Sequence, residues 1–139
     1  MKQLLAVLSL LIFLSTASVA QEISNRVVVD KKFVAVAGAL IGTTIMDVEG
    51  TEAVRNSLKG NKEFYFHERN PLLRPFVNAG RPATYAILGG MDAGVLALSY
   101  KMKKSANPTI RRLWLLPPVM LAIGHAFAGA SNYRLSRLR

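Results

Sequence analysis

Six polar residues have the types and positions to do chemistry: Asp47, Thr51, Glu68, Asn70, Asp92 and His125. Asp92 is the most informative, because it is the one charge inside an apolar run over residues 83–100. An ionised acid at mid-depth of a membrane costs about 2.5–3.5 kcal/mol on insertion scales, so it should face protein and find a partner. His125 is the natural partner, standing inside a second apolar run over 113–133 that carries no formal charge. If the two runs form an antiparallel hairpin through 101–112, Asp92 lies eight residues before Tyr100 and His125 twelve after Leu113. Their depths then differ by about one helical turn, close enough to meet directly or through water. Such a pair serves as a structural interhelical hydrogen bond, a proton relay or part of a metal site.

Asp47 and Thr51 are four apart, so a continuing helix puts them on one face. Asp47 also reads as a helix-end residue in the head-group zone. In His67-Glu68-Arg69-Asn70-Pro71, Asn before Pro is a helix start, with Asn70 as cap and Pro71 as first helical residue. A short helix through Phe76 or Val77 should follow. Glu68 and His67 are positioned to join Asp47 at a metal, although no spacing matches H-E-x-x-H. There is no G-x-S-x-G elbow, P-loop or G-x-G-x-x-G. Gly129-Ala130-Ser131 near His125 resembles the motif of an intramembrane serine protease only faintly, because the second glycine is missing and Asn132 stands in its place. The absence of Cys excludes a disulfide framework or thiolate metal site. No cofactor is implied, and the balance favours a non-enzymatic protein.

The elements that must position these residues are apolar helices. The chain has 139 residues, 51% hydrophobic and 19% charged, which fits one domain and excludes disorder. Residues 1–20 read as a signal peptide: Lys2, an apolar core over 4–14, then Ser18 and Ala20 at the small-residue positions before cleavage. The alternative is an uncleaved first transmembrane helix. The remaining 21–139 form one integral membrane domain with spans at about 33–48, 83–100 and 113–133, of 16, 18 and 21 residues. The fold class is therefore all-α, a transmembrane bundle of three spans, or four if the signal stays. Polar residues collect in the joints over 21–32, 49–82, 101–112 and 134–139, where an amphipathic soluble helix would repeat them every three or four positions.

Seven of the ten glycines lie inside the three runs. Gly38/Gly42, Gly90/Gly94, Gly124/Ala128 and Ala126/Ala130 have the i, i+4 spacing that lets helices approach closely in lipid. Pro117-Pro118 should open the third helix, and Trp114 should sit at the interface. The net charge of +10 first suggests nucleic acid. The basic residues are split among four joints with no nucleic-acid motif, so lipid head groups are the better partner. With the signal cleaved, nine basic residues fall inside and eight outside, so positive-inside counting does not fix the orientation.

Asp47-x3-Thr51, Gly60, Glu68-x-Asn70-Pro71-Leu72-Leu73 and the late His125 and Asn132 together resemble small bacterial inner-membrane proteins grouped as a domain of unknown function. The resemblance covers about 33–134, and the charged, aromatic stretch 61–67 before Glu68 departs from it. It implies a multi-pass inner-membrane protein, with Asp47, Thr51, Glu68, Asn70 and His125 as site residues and no reaction. Three functions follow as expectations. The first is an envelope accessory or interaction module that binds a membrane partner or its own copies. The second is an oligomeric ion or proton carrier using Asp92 and His125. The third is a membrane-embedded metal-dependent hydrolase using Asp47, Glu68 and His125.

Overall fold

A computed structural model describes residues 27–58 and 70–137. The expected signal peptide over 1–20, His67 and Glu68 lie outside the described residues. The first helix, α1 (Lys31–Ser57), starts where the Asp30 carboxylate accepts the Phe33 amide at 2.9 Å, a side-chain N-cap. At 27 residues it is about 40 Å long and runs well past the apolar stretch that ends at residue 48. The polar continuation holds because it is packed. Gly50, Thr51 and Val54 are buried, and Glu49 accepts from the Tyr85 hydroxyl at 2.6 Å and pairs with Arg81.

Asn70 caps as expected, its side chain accepting the Leu72 amide at 3.0 Å, but Pro71–Leu73 form a turn and the helix proper, α2 (Arg74–Ala79), begins later. Gly80 separates it from α3 (Arg81–Lys104) at a φ of 104°, a left-handed conformation that favours glycine. Asn107 then caps α4 (Pro108–Arg112), which runs through a 3-10 turn at Leu113–Leu115 into α5 (Leu116–Arg137). Pro117 and Pro118 open α5 as expected, in its first turn, and the 3-10 turn joins it to α4 upstream, where the Asn107 side chain accepts the Thr109 and Ile110 amides.

Cross-helix partners give the topology. Asp30–Lys103, Thr44–Asp92 and Glu49–Tyr85 run in opposite order along α1 and α3, so these helices are antiparallel. Phe33–Trp114, Asp47–His125 and Thr51–Asn132 run in the same order, so α1 and α5 are parallel. The arrangement is up-down-up. The α1–α5 crossing is the tightest of the three, and α3 lies more loosely against both.

The fold is all-α, and two of its helical stretches, Lys31–Ser57 and Pro108–Arg137, are long and apolar enough to cross a membrane. In each, only 22% of the apolar window is buried. Ile41, Ile45, Leu98, Met120 and Phe127 point outward, whereas the core contains few large side chains, Leu40 and Val48 among them. At 24 residues α3 is long enough but less apolar, with Asp92 at its centre and Lys101, Lys103 and Lys104 in its last turn.

The expected small-residue packing is not what closes the bundle. A Cβ added at Gly38, Gly42, Gly90, Gly94 or Gly124 would meet nothing within 4 Å, so these glycines face outward. The close approach is Gly50 against Gly129, where an added Cβ would lie 2.8 Å from backbone on the facing helix. Trp114 lies level with the start of α1 and the end of α3. It is buried, stacked on Phe33 at 5.7 Å and covered by the Lys103 ammonium at 4.4 Å.

Candidate functional site

The Gly50–Gly129 contact brings the α1 and α5 backbones together, and polar side chains meet on either side of it. Four residues before Gly129, His125 lies with Nδ1 at 2.8 Å from Asp47 Oδ2. Three residues after it, Asn132 Nδ2 donates to Thr51 Oγ1 at 3.0 Å. Asp47 and Thr51 therefore share a face, as their spacing requires, but each has its own partner on α5.

Asp92 reaches this cluster from the middle of α3, eleven residues from its start and about 16 Å along it. Its Oδ2 lies 2.8 Å from Thr44 Oγ1, and its Oδ1 lies 3.7 Å from His125 Nε2. Asp92 and His125 thus come close, as expected, but at 3.7 Å they make no hydrogen bond, and Asp47 occupies the other ring nitrogen. All three are well inside: the side chains of Asp92, His125 and Asp47 are 6%, 7% and 16% exposed. A carboxylate only accepts, so a hydrogen on His125 Nδ1 makes the Asp47 bond and leaves Nε2 facing Asp92. Asp92 Oδ1 and His125 Nε2 are buried with no hydrogen-bond partner, as is Ser99 Oγ two turns further along α3.

Asn70 lies apart from the cluster, in the turn before α2. Among the described residues no group of three His, Cys, Asp or Glu side chains is arranged to hold a metal ion, and Glu68 lies outside them. The cluster's members, two carboxyl groups, an imidazole and a hydroxyl, are groups of a kind that can exchange protons or hold helices together by hydrogen bonds.

Thr44 was not singled out from the sequence, although it stands three residues before Asp47 on the same helix. Gly50 and Gly129 were missed as a pair, because their close approach joins two helices and neither belongs to an i, i+4 repeat. Asn132 was noted only as the residue that breaks the Gly129-Ala130-Ser131 motif and through the family resemblance. Its position seven residues after His125, two helical turns on the same face, is the signal that could have found it.

The cluster is bracketed by ion pairs at both ends. Glu49 meets Tyr85 and Arg81 at one, and Asp30 meets Lys103 at the other. The Lys103 ammonium that bonds Asp30, with help from the Phe33 amide, holds the Asp30 carboxyl below the usual aspartate range. Beside α3 a cleft of about 310 Å³ opens between it and α1, lined by Ile41, Thr44, Ile45, Tyr85, Gly89 and Asp92 among others. Comparison with family models, curated proteins and solved structures finds no match to this chain.

Proposed function

We propose that this chain is an integral membrane module of the bacterial envelope that acts by associating with another membrane component or with its own copies. In this reading a signal peptide directs it to the inner membrane, and α1, α3 and α5 all span. The joint before α2 and the tail then lie on one side, and the 101–112 loop on the other. The observation that carries the reading is the set of outward glycines. A Cβ at Gly38, Gly42, Gly89, Gly90, Gly94 or Gly124 would meet nothing, so the chain's own packing does not use them. In lipid, shallow small-residue faces are where a second helix approaches closely.

The test is the mass of the purified protein in detergent and in lipid nanodiscs. The reading predicts an oligomer, or a stable complex with a membrane protein, that Gly42→Leu or Gly94→Leu dissolves without changing the helix content. A strictly monomeric protein with enzymatic turnover would overturn it.

A second reading, an oligomeric proton or ion carrier, is favoured by one further observation: Asp92 and His125 face each other at 3.7 Å inside the bundle. Three helices are few for a carrier, so it too requires association. Proteoliposome flux that persists unchanged in both Asp92→Asn and His125→Ala would remove it.

A further inference from the structure

We propose that the cleft between α1 and α3 binds one membrane phospholipid with an ethanolamine head group, its acyl chain in the cleft and its head group on the Glu49–Arg81 pair at the mouth. The site requires the membrane placement proposed above and not the association. Its shape is that of a chain. On α3 the wall runs from Tyr85 through Gly89 and Ala93 to Leu96, and on α1 it is formed by Ile41 and Ile45. From Tyr85 to Leu96 the helix rises about 16 Å, the depth of one leaflet of a hydrocarbon core about 30 Å thick. A volume of about 310 Å³ spread over that length leaves a section of about 20 Å², or about 5 Å across. Non-bonded carbons settle about 3.5–4.0 Å apart, so one extended hydrocarbon chain fills such a section. A helix with its side chains is about 10–12 Å across and does not enter.

The walls suit a chain as well. A Cβ added at Gly89 would meet nothing within 4 Å, so the α3 surface is recessed there. Thr44 and Asp92 also line the cleft, but they turn their polarity inward. Thr44 donates to Asp92 Oδ2 at 2.8 Å, Asp92 Oδ1 lies on the His125 side, and the Asp92 side chain is buried. What remains for an occupant to touch is almost wholly hydrocarbon.

Charge at one end of the cleft selects the head group. Tyr85 closes the cleft towards the start of α3, and its hydroxyl donates to Glu49 Oε1 at 2.6 Å. Arg81, one turn before Tyr85, pairs with the same oxygen. Among the described residues Glu49 Oε2 makes no hydrogen bond. The Arg81 side chain is 55% exposed and carries N–H donors beyond the one that Glu49 takes. The two therefore offer a phosphate its donors and an ammonium its acceptor, side by side. The neighbouring Glu52–Arg55 pair adds no net charge. A phosphatidylglycerol brings an anion to Glu49 with no cation for it, and a choline head group has no N–H to give to Oε2. Along α3, Arg81 stands about 6 Å from Tyr85 and about 22 Å from Leu96, so charge and cleft follow each other in the order of head group and chain.

The test uses the full chain in nanodiscs holding equal shares of phosphatidylethanolamine, phosphatidylglycerol and phosphatidylcholine with the same acyl chains. Native mass spectrometry after mild delipidation counts the lipids that stay. The wild type should keep one phosphatidylethanolamine per chain, enriched about fivefold over each of the other two. Gly89→Leu, whose side chain fills the recess, should lose the retained lipid while keeping its helix content, and Ala93→Leu should do the same. Glu49→Gln should keep one lipid but bring phosphatidylethanolamine and phosphatidylcholine close to parity. Equal retention of the three lipids, no retained lipid, or undiminished retention in both leucine variants would overturn the site. So would a fall in oligomer mass in Gly89→Leu with lipid retention unchanged, which would seat a second copy in the cleft. Full release of the protein from membranes by alkaline carbonate would overturn the spanning reading and the site with it. A carbonate-resistant chain without bound lipid would overturn the site alone.

Discussion

Replacing Gly129 by alanine should separate α1 from α5 and unfasten both polar contacts between them. The added methyl would stand 2.8 Å from the Met46 carbonyl carbon and 2.9 Å from the Asp47 nitrogen, both backbone atoms that no rotamer change can move aside. Ordinary contact begins near 3.4 Å, so the crossing must open by about 0.6 Å. The same shift would stretch Asp47–His125 from 2.8 Å to about 3.4 Å and Thr51–Asn132 from 3.0 Å to about 3.6 Å, beyond useful hydrogen-bond length. Overpacking of this kind costs about 1–3 kcal/mol, and each interhelical hydrogen bond lost in a membrane adds about 0.6 kcal/mol. Alanine returns at most about 1 kcal/mol of helix propensity over glycine. The net expectation is a loss of about 2 kcal/mol. Gly42→Ala supplies the control: its new methyl meets nothing, so only the propensity gain remains. Reversible unfolding in mixed dodecylmaltoside–SDS micelles, followed by circular dichroism, measures both. A Gly129→Ala protein as stable as Gly42→Ala would refute the reasoning.

Other perturbations follow from the same contacts. His125→Ala deprives the buried Asp47 carboxylate of its donor and should cost about 3 kcal/mol in that assay. Asn132→Ala removes one neutral hydrogen bond to Thr51 and should cost about 1 kcal/mol, so the reverse order would contradict the assignment of the cluster. Asp30 gives a pH signature. Its carboxyl is held low in the folded chain, so its stabilisation is present above the usual aspartate range and is lost as pH falls through the folded value. Amide exchange at Phe33 and Val34 should therefore accelerate between pH 5 and strongly acidic conditions, beyond its intrinsic pH dependence, and Asp30→Asn should abolish that excess.

The helices and the Asp92–His125 meeting were legible in the sequence for one physical reason. Apolar runs fix which residues lie at similar depth, and a charged residue inside such a run has few partners to choose from. Asp47 was harder. Its run ends at residue 48, so a head-group position fitted equally well, until the continuation through Gly50 and Thr51 placed it well inside α1. The glycine spacing misled for a related reason. Small residues at i, i+4 mark a smooth face, but spacing alone does not say whether that face meets the same chain or something outside it. What closes this bundle is a single glycine on each of two helices, and no pattern within one helix encodes such a pair. Thr44 was hidden because threonine in an apolar helix usually bonds its own backbone, as Thr44 also does here.

The central claim is that three helices cross the membrane up, down and up, with the Asp47–His125–Asp92 cluster between them. Cysteine accessibility tests it most directly, because the chain has no native Cys. Single cysteines at Ser57, Ser105 and Ser136 stand beyond or near the helix ends, and Phe127 faces outward on α5. The account predicts that a membrane-impermeant thiol reagent reaches Ser57→Cys and Ser136→Cys from one side and Ser105→Cys from the other, while Phe127→Cys stays unlabelled in intact membranes. Labelling of all four from the same side, or ready labelling of Phe127→Cys from water, would contradict it.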